Sequence, residues 1–280
     1  MMPDFYTVDE LVAVCLARTI KDNDIVFNGV ASALPFTAML LAKKTHAKNS
    51  VFLGGLQGAV NPVFPFLPPV SVDYTFSQVA DFTIPVDEIF NMANSGKLNR
   101  IFFGGGQIDK YGNANNTVIG DIAAPKVKLP GGAGACSISC YAQNFTLWNT
   151  RHFVNEALRK QSNFTFVDKV DFVTTVGHVT PHGTRAELNL RGGGPDCVVT
   201  DLGVFDFDET SKCMRLKYVH PCTSIDTIIE CTGFALNVPG HVQQTPVPTR
   251  EEVALIREID SLNVRKRLFA EQQLACRMEF

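Results

Sequence analysis

No two cysteines stand in a CxxC pair, no basic run exceeds Arg265-Lys266-Arg267, and no apolar stretch is long enough to cross a bilayer. Each absence removes a class of function. Eight cysteines without paired spacing make neither a disulfide scaffold nor a structural zinc site, so the expectation is reduced thiols in a cytosol. Cys213, Cys222 and Cys231 are spaced like no zinc motif and read as small buried hydrophobes. A net charge of −3 without a basic patch argues against nucleic-acid binding. Residues 38–42 and 60–70 are too short or too proline-rich to span a membrane, and no positively charged leader opens the chain. The expected setting is therefore cytoplasmic, away from membranes.

Other signatures fail on context. Gly54-Gly55 and Gly104-Gly105-Gly106 each follow a strand-like run, but neither has G-x-G-x-x-G spacing or opens a helix, so a dinucleotide site is unsupported. There is no P-loop and no G-x-S-x-G elbow. His178 and His182 sit among Gly177, Pro181 and Gly183, with no carboxylate or cysteine at ligand spacing, so no metal is expected.

What the chain does have is enough apolar residues for a large core: 45% of 280, with 19% charged. Thr7 and Glu10 form a capping box ahead of Val8, Leu11, Val12, Cys15 and Leu16 at helical spacing, which predicts a helix over 7–20. A strand over 24–28, a helix over 34–47 with Pro35 in its first turn, and a strand over 50–53 follow. Residues 61–70 carry four prolines among aromatics and leucines and can be neither helix nor central strand. They read as an ordered loop that covers a pocket, meets a partner or packs on its own domain. A helix over 86–94 stopped by Gly96 and a strand over 99–103 complete this half. Later strands are expected over 145–148, 171–176, 197–200, 204–207 and 214–219. A helix is expected over 223–230, and another from the Thr249/Glu252 capping box onward, with an amphipathic tail to residue 280. Alternating strands and helices predict an α/β protein with an open, largely parallel sheet flanked by helices. Without repeats or linkers, residues 1–280 read as one domain with a C-terminal helical tail.

Residues 101–136 draw attention because glycine clusters twice, at Gly104, Gly105 and Gly106 and again at Gly131, Gly132 and Gly134. Clustered glycines mark positive φ or close approach of a ligand or another backbone. Cys136 follows the second cluster, near the start of an expected helix. Such a thiol is either a nucleophile of lowered pKa or a cysteine filling space.

With these segments in hand, the chain resembles the class I CoA-transferase family nearly end to end, and specifically the small, B-type subunit of glutaconate CoA-transferase. The resemblance is carried by FFGGGQIDKYGNANNT at 102–117, IGD at 119–121, GGAGA at 131–135, VVTDLGVFDFD at 198–208, ECTGF at 230–234 and PTREEVALIREID at 248–260. GVASALPFTAMLLAKKTHA at 29–47 is similar to the methylglutaconyl-CoA decarboxylase subunit. That decarboxylase and the steroid ring-opening CoA-thioester hydrolase are branches of the same family.

The resemblance implies an open α/β fold of the CoA-transferase (NagB-like) type. It also implies a homologous α (A) subunit as partner, in a heterotetramer of two αβ pairs, and an acyl-CoA site where the subunits meet. No tightly bound cofactor is implied, because coenzyme A arrives as part of the substrate. True transferases carry a nucleophilic glutamate after the strand equivalent to 50–53, where this chain reads Leu53-Gly54-Gly55. Leucine forms no anhydride or thioester, so ring-opening C–C hydrolysis or decarboxylation is favoured over transfer. A transferase whose carboxylate comes from the partner, and a non-catalytic subunit completing the partner's cleft, remain open. The acyl-CoA-binding candidates are Gly29, Ser32, Gly54, Gly55, Gly104, Gly105, Gly106, Gln107, Gly131, Gly132 and Gly134. The side-chain candidates for catalysis are Gln107, Ser32 and Cys136, each equally readable as a turn or packing residue.

Overall fold

The structure is a computed structural model. It describes residues 5–30, 32–55, 58–68, 70, 73–221 and 223–269. Cys222 and the expected tail over 270–280 lie outside the described residues. The chain forms two compact units: one holds residues up to Phe102 together with those from Pro246 onward, and the other is Phe103–Thr245.

In the first unit, α1 (Val8–Ala17), β1 (Ile25–Asn28), α2 (Ala33–Lys44) and β2 (Val51–Gly54) are followed by β3 (Ala59–Val60), α3 (Thr75–Gln78), β4 (Phe82–Thr83), α4 (Val86–Asn94) and β5 (Arg100–Gly104). The chain passes into the second unit along β5. The sheet order is β5-β1-β2-β3-β4, with β5, β1 and β2 parallel and β3 and β4 added antiparallel. Phe27 lies opposite Leu53 and Asn28 opposite Phe102, so the carboxyl ends of β1, β2 and β5 are aligned. Helix α1 begins where expected, with the Thr7 N–H donating to Glu10 at 2.9 Å. It is buried along its whole length, as is most of α2.

The C-terminal helix Arg250–Ile259, capped by Thr249 Oγ1 accepting from the Glu252 N–H at 3.1 Å, returns to this unit. Behind it the fully buried Arg265 pairs with Asp9 (2.7 Å) and Asp260 (2.8 Å). Buried charges are tolerated only when paired in this way. The network ties the end of the described chain to α1.

The second unit continues with β6 (Gln107–Asp109), β7 (Ala114–Asn115), the hairpin β8 (Val118–Asp121) and β9 (Ala124–Lys128), α5 (Ala135–Tyr141), β10 (Asn144–Asn149), α6 (Glu156–Lys160) and β11 (Phe166–Val167). The short hairpin β12 (Val179–Thr180) and β13 (Gly183–Thr184) precedes β14 (Pro195–Thr200), β15 (Gly203–Phe207), β16 (Met214–Val219), α7 (Ile225–Cys231), β17 (Thr232–Gly233) and β18 (Gln243–Gln244). Strands run in the order β10-β14-β15-β16-β18, and a smaller sheet in the order β17-β11-β6-β7. The expected α/β class is the one observed. Parallel pairs dominate where β1, β2, β5, β10, β11 and β14 meet their neighbours, and antiparallel hairpins extend the edges.

Two expectations need correction. Residues 171–176 form no strand: Asp171 N–H is taken by the Gln107 side chain, while Thr174 and Thr175 N–H both go to the Ala114 carbonyl. Only Thr175 pairs as in a sheet, in a single antiparallel bridge with Ala114, and one bridge does not extend into a strand. Of the three cysteines read as buried, Cys231 is buried, whereas Cys213 is only half-buried.

Candidate functional site

In the first unit the strand ends converge on Asn28, which sequence reasoning had not singled out. Its buried side chain donates to the Gly29 carbonyl (2.8 Å) and accepts from the Gly55 N–H (3.4 Å), so one amide joins the chain ends leaving β1 and β2. Carboxyl ends of adjacent parallel strands are where open α/β sheets place their ligands. Ser32 lies beside Gly29, but its hydroxyl donates back to the Val30 carbonyl at 3.1 Å, and the residue is 3% exposed.

Leu53 is 2% exposed, with its side chain in the core. The next two positions are glycines, and no carboxylate occurs anywhere in 50–60. At Gly54 a Cβ would lie 2.7 Å from Cδ1 of Phe76 and 3.1 Å from Pro62. Phe76 is itself held against Phe36 (5.1 Å between ring centroids) and Phe64 (4.7 Å). A phenyl ring thus fills the space into which a side chain leaving this strand end would project.

In the second unit the two glycine clusters are joined through Asn116. Its side chain donates to the Gly104 carbonyl (2.7 Å) and accepts from the Gly106 N–H (3.3 Å), and its own carbonyl accepts from the Gly131 N–H (2.7 Å). The Asn149 side chain holds the Gly105 carbonyl at 2.8 Å. Thr174 accepts from the Asn116 N–H (2.9 Å), and its methyl carbon would stand 2.4 Å from a Cβ on Gly132. Gly105, where a Cβ would lie 2.9 Å from the Gln107 carbonyl oxygen, and Gly132 are therefore glycines because neighbouring atoms occupy the place of a side chain. Gly131 differs: with φ +99° and nothing within 4 Å of a Cβ, it is set by backbone conformation alone.

The backbone donors divide accordingly. Gly106 and Gly131 N–H groups are spent within the protein, as is that of Ala135 on the Gly132 carbonyl. Those of Gly132, Ala133 and Gly134 have no partner among the described residues. Ala133 sits at φ +43°, a left-handed residue that turns this loop into α5. Successive unpaired amides in such a turn form a concavity suited to an anionic oxygen.

Gln107 is engaged on both ends of its amide. Its oxygen accepts from Asn115 (2.8 Å) and from the Asp171 N–H (3.1 Å), and its nitrogen donates to the Asp171 carboxylate (3.1 Å). Asp171 also accepts from the Gly120 N–H at 2.8 Å, so Gln107 ties the β8–β9 hairpin to the glycine turn. Cys136 is exposed on the first turn of α5, and no acid or base bonds its thiol among the described residues. His178 donates from Nε2 to the Pro195 carbonyl at 2.7 Å, with its pKa pushed down to about 4 by burial. His182 shares no ligand set with it, and no metal-binding cluster occurs among the described residues. The fully buried His152 and His220 are held by Thr200, Thr232 and Thr245 and kept neutral, at about 3 and about 4, by desolvation.

The sequence model of the family described as Coenzyme A transferase matches residues 10–231. The chain is 34% identical over 260 residues to the B-type subunit of the 3-oxoadipate CoA-transferase of Pseudomonas knackmussii, covering 91% of this chain and 94% of that one. It is 33% identical over 265 residues to the B-type subunit of the glutaconate CoA-transferase of Acidaminococcus fermentans, covering 90% and 92%. Among solved structures, it is similar to the decarboxylase AibA/AibB: TM-score 0.79 at 31% identity, over 94% of this chain and 98% of that chain.

Proposed function

This chain belongs to the coenzyme A transferase family, and from that membership we propose that it is the B-type subunit of a cytoplasmic heteromeric enzyme that decarboxylates, or hydrolytically cleaves a carbon–carbon bond in, an acyl-CoA. One observation carries the reading against CoA transfer. The strand end that bears the nucleophilic glutamate in transferases here reads Leu53-Gly54-Gly55, with the leucine buried and the space beside Gly54 filled by Phe76.

Without a carboxylate to attack the thioester, the chemistry left to such a site is bond breaking next to the carbonyl. In decarboxylation the bond to the departing carboxylate breaks and its electron pair moves onto the thioester oxygen as an enolate, which then takes up a proton. In hydrolytic cleavage water adds to a second carbonyl β to the thioester. The bond from that carbon to the α-carbon breaks, its electron pair stays on the thioester fragment as the same enolate, which takes up a proton, and the attacked carbonyl becomes a carboxylic acid. Both need donors at the developing oxyanion, a role the unpaired N–H groups of Gly132, Ala133 and Gly134 suit. Any acid–base carboxylate comes from the A-type partner in this proposal. Coenzyme A enters as part of the substrate, with no tightly bound cofactor required.

A second reading has support of its own. Identity of 34% to a CoA-transferase subunit favours transfer with a carboxylate drawn from elsewhere in the complex. The test uses the chain co-purified with its A-type partner subunit. The complex is incubated with a panel of acyl-CoAs, with and without acceptor acids, and products are read by mass spectrometry. We expect a product that loses carbon dioxide or gains water while keeping its coenzyme A. Coenzyme A moving to the acceptor, with a hydroxylamine-sensitive glutamyl adduct on either chain, would instead establish the transferase reading.

A further inference from the structure

A third run of glycines, Gly192-Gly193-Gly194, follows the β12–β13 hairpin. None of the three has room for a side chain. A Cβ would lie 2.3 Å from the Ala142 carbonyl oxygen at Gly192, and 2.4 Å from that of Gln143 at Gly193. At Gly194, where φ is +88°, it would lie 3.0 Å from Cδ of Arg185. The chain closes here over the end of α5 and over one arginine.

Arg185 is 8% exposed, and all five of its N–H donors go to main-chain carbonyls. Nε donates to Gly192 (2.9 Å), Nη1 to Val176 (3.0 Å) and Gly177 (3.2 Å), and Nη2 to Ser139 (2.9 Å) and Cys140 (3.1 Å). No carboxylate among the described residues pairs with it. A guanidinium taken out of water without a counter-ion is costly, and here only the carbonyl dipoles compensate it. Three separate segments converge on this side chain, and only a planar fork with five donors serves them all.

Two of those segments carry the free amides. Ser139 and Cys140 lie in the last turn of α5, where helix carbonyls lack partners within the helix. Helix α5 itself begins directly after Gly132, Ala133 and Gly134. Val176 and Gly177 end the loop in which Thr174 packs against Gly132 and accepts from the Asn116 N–H. The Val176 N–H donates to Ser139 Oγ at 3.1 Å, a second tie between the same two segments. We propose that Arg185 is a positioning residue for the reaction: by pinning the last turn of α5 to residues 176–177, it fixes the Gly132, Ala133 and Gly134 N–H groups where charge develops on the thioester oxygen. This role rests on the reading above that those amides meet that oxygen. It serves decarboxylation, carbon–carbon hydrolysis and transfer alike, because each passes charge through the same oxygen.

The test uses the complex with the A-type subunit and the acyl-CoA that the wild type converts fastest. The variants are Arg185→Lys, Arg185→Ala and Gly194→Ala, with Val253→Ala, buried in the C-terminal helix, as the control for lost stability. Positioning acts on the transition state, so kcat is expected to fall about 10-fold in Arg185→Lys and about 100-fold in Arg185→Ala, with KM within about twofold. Guanidinium added below denaturing concentration should return part of kcat in Arg185→Ala and none in Val253→Ala. Gly194→Ala displaces the arginine rather than removing it, and a smaller loss of kcat is expected. Hydrogen exchange is followed at the Gly131, Ala135 and Ile138 N–H groups, which are bonded around the concavity at 2.7, 2.7 and 2.9 Å. It should quicken in both arginine variants. Folded Arg185→Ala with wild-type exchange overturns the pin and leaves the amide reading intact. Faster exchange with unchanged kcat overturns the amide reading and this role with it. A rise in KM at unchanged kcat, or a kcat loss that Val253→Ala reproduces at an equal drop in melting temperature, overturns the role too. If Arg185→Ala does not fold, Arg185→Lys and Gly194→Ala decide by the same comparisons.

Discussion

Glycine means two different things in this protein. From the sequence, clustered glycines mark positive φ or the close approach of a ligand or another backbone; at Gly54, Gly105 and Gly132 the missing side chain makes room for Phe76, Gln107 with Ala114, and Thr174. Nothing local in the sequence separates these from Gly131, whose surroundings are empty, because the crowding atoms come from residues up to 42 positions away (Gly132 to Thr174). The same holds for the polar candidates. Ser32 and Gln107 stand where the resemblance led one to look, but their hydrogen bonds are spent on the protein. We therefore expect Gly54→Ala to drive its methyl group into the Phe76 ring and cost about 1–3 kcal/mol, read as a lower urea midpoint. Trimming the ring in Gly54→Ala/Phe76→Leu should return part of that loss. Full additivity of the two substitutions would show that the ring and the glycine are not a matched pair.

At the scale of elements, the longer helices and most of the long strands were legible from the sequence, whereas the short helices α3 and α6 were not. Helix α4 and strand β16 have the predicted bounds, because caps, breakers and apolar spacing are local. The connections were not. The β8–β9 hairpin, the two-residue strands and the bonded loop over 171–176 depend on partners distant in sequence. The element that matters most to the site is a loop pair held by one residue, since Asn116 bonds Gly104, Gly106 and Gly131. Asn116→Ala removes the side-chain half of this clamp. With active-site misplacements of about 1 Å able to cost about 100-fold in rate, turnover of the assembled complex is expected to fall about 10- to 100-fold. The melting temperature should move by only a few degrees, the equivalent of about 1 kcal/mol. Wild-type kcat in this variant would separate the two glycine loops from catalysis.

For the molecule as a whole, three histidines set a pH limit. Unfolded histidines titrate near 6.5, while desolvation keeps His152 neutral down to about 3 and His178 and His220 down to about 4 in the folded protein. Between those values the unfolded chain binds more protons, so stability falls as pH drops below about 6.5 and continues to fall toward 4, by about 1.4 kcal/mol per histidine and pH unit. Thermal melts from pH 7 to pH 4 should show that decline, and His220→Gln should lessen its slope; a profile identical to wild type would remove this histidine as one of its sources. By itself, the sequence determined the α/β class, the capping boxes that open α1 and the C-terminal helix, the family and the missing carboxylate after β2, because each is written in short-range pattern or in residue identity. Only the tertiary structure decided which amides remain free and which glycines are packed shut. Those depend on atoms that become neighbours after the chain has folded, and a hydrogen-bonding group is spent or available only in relation to them.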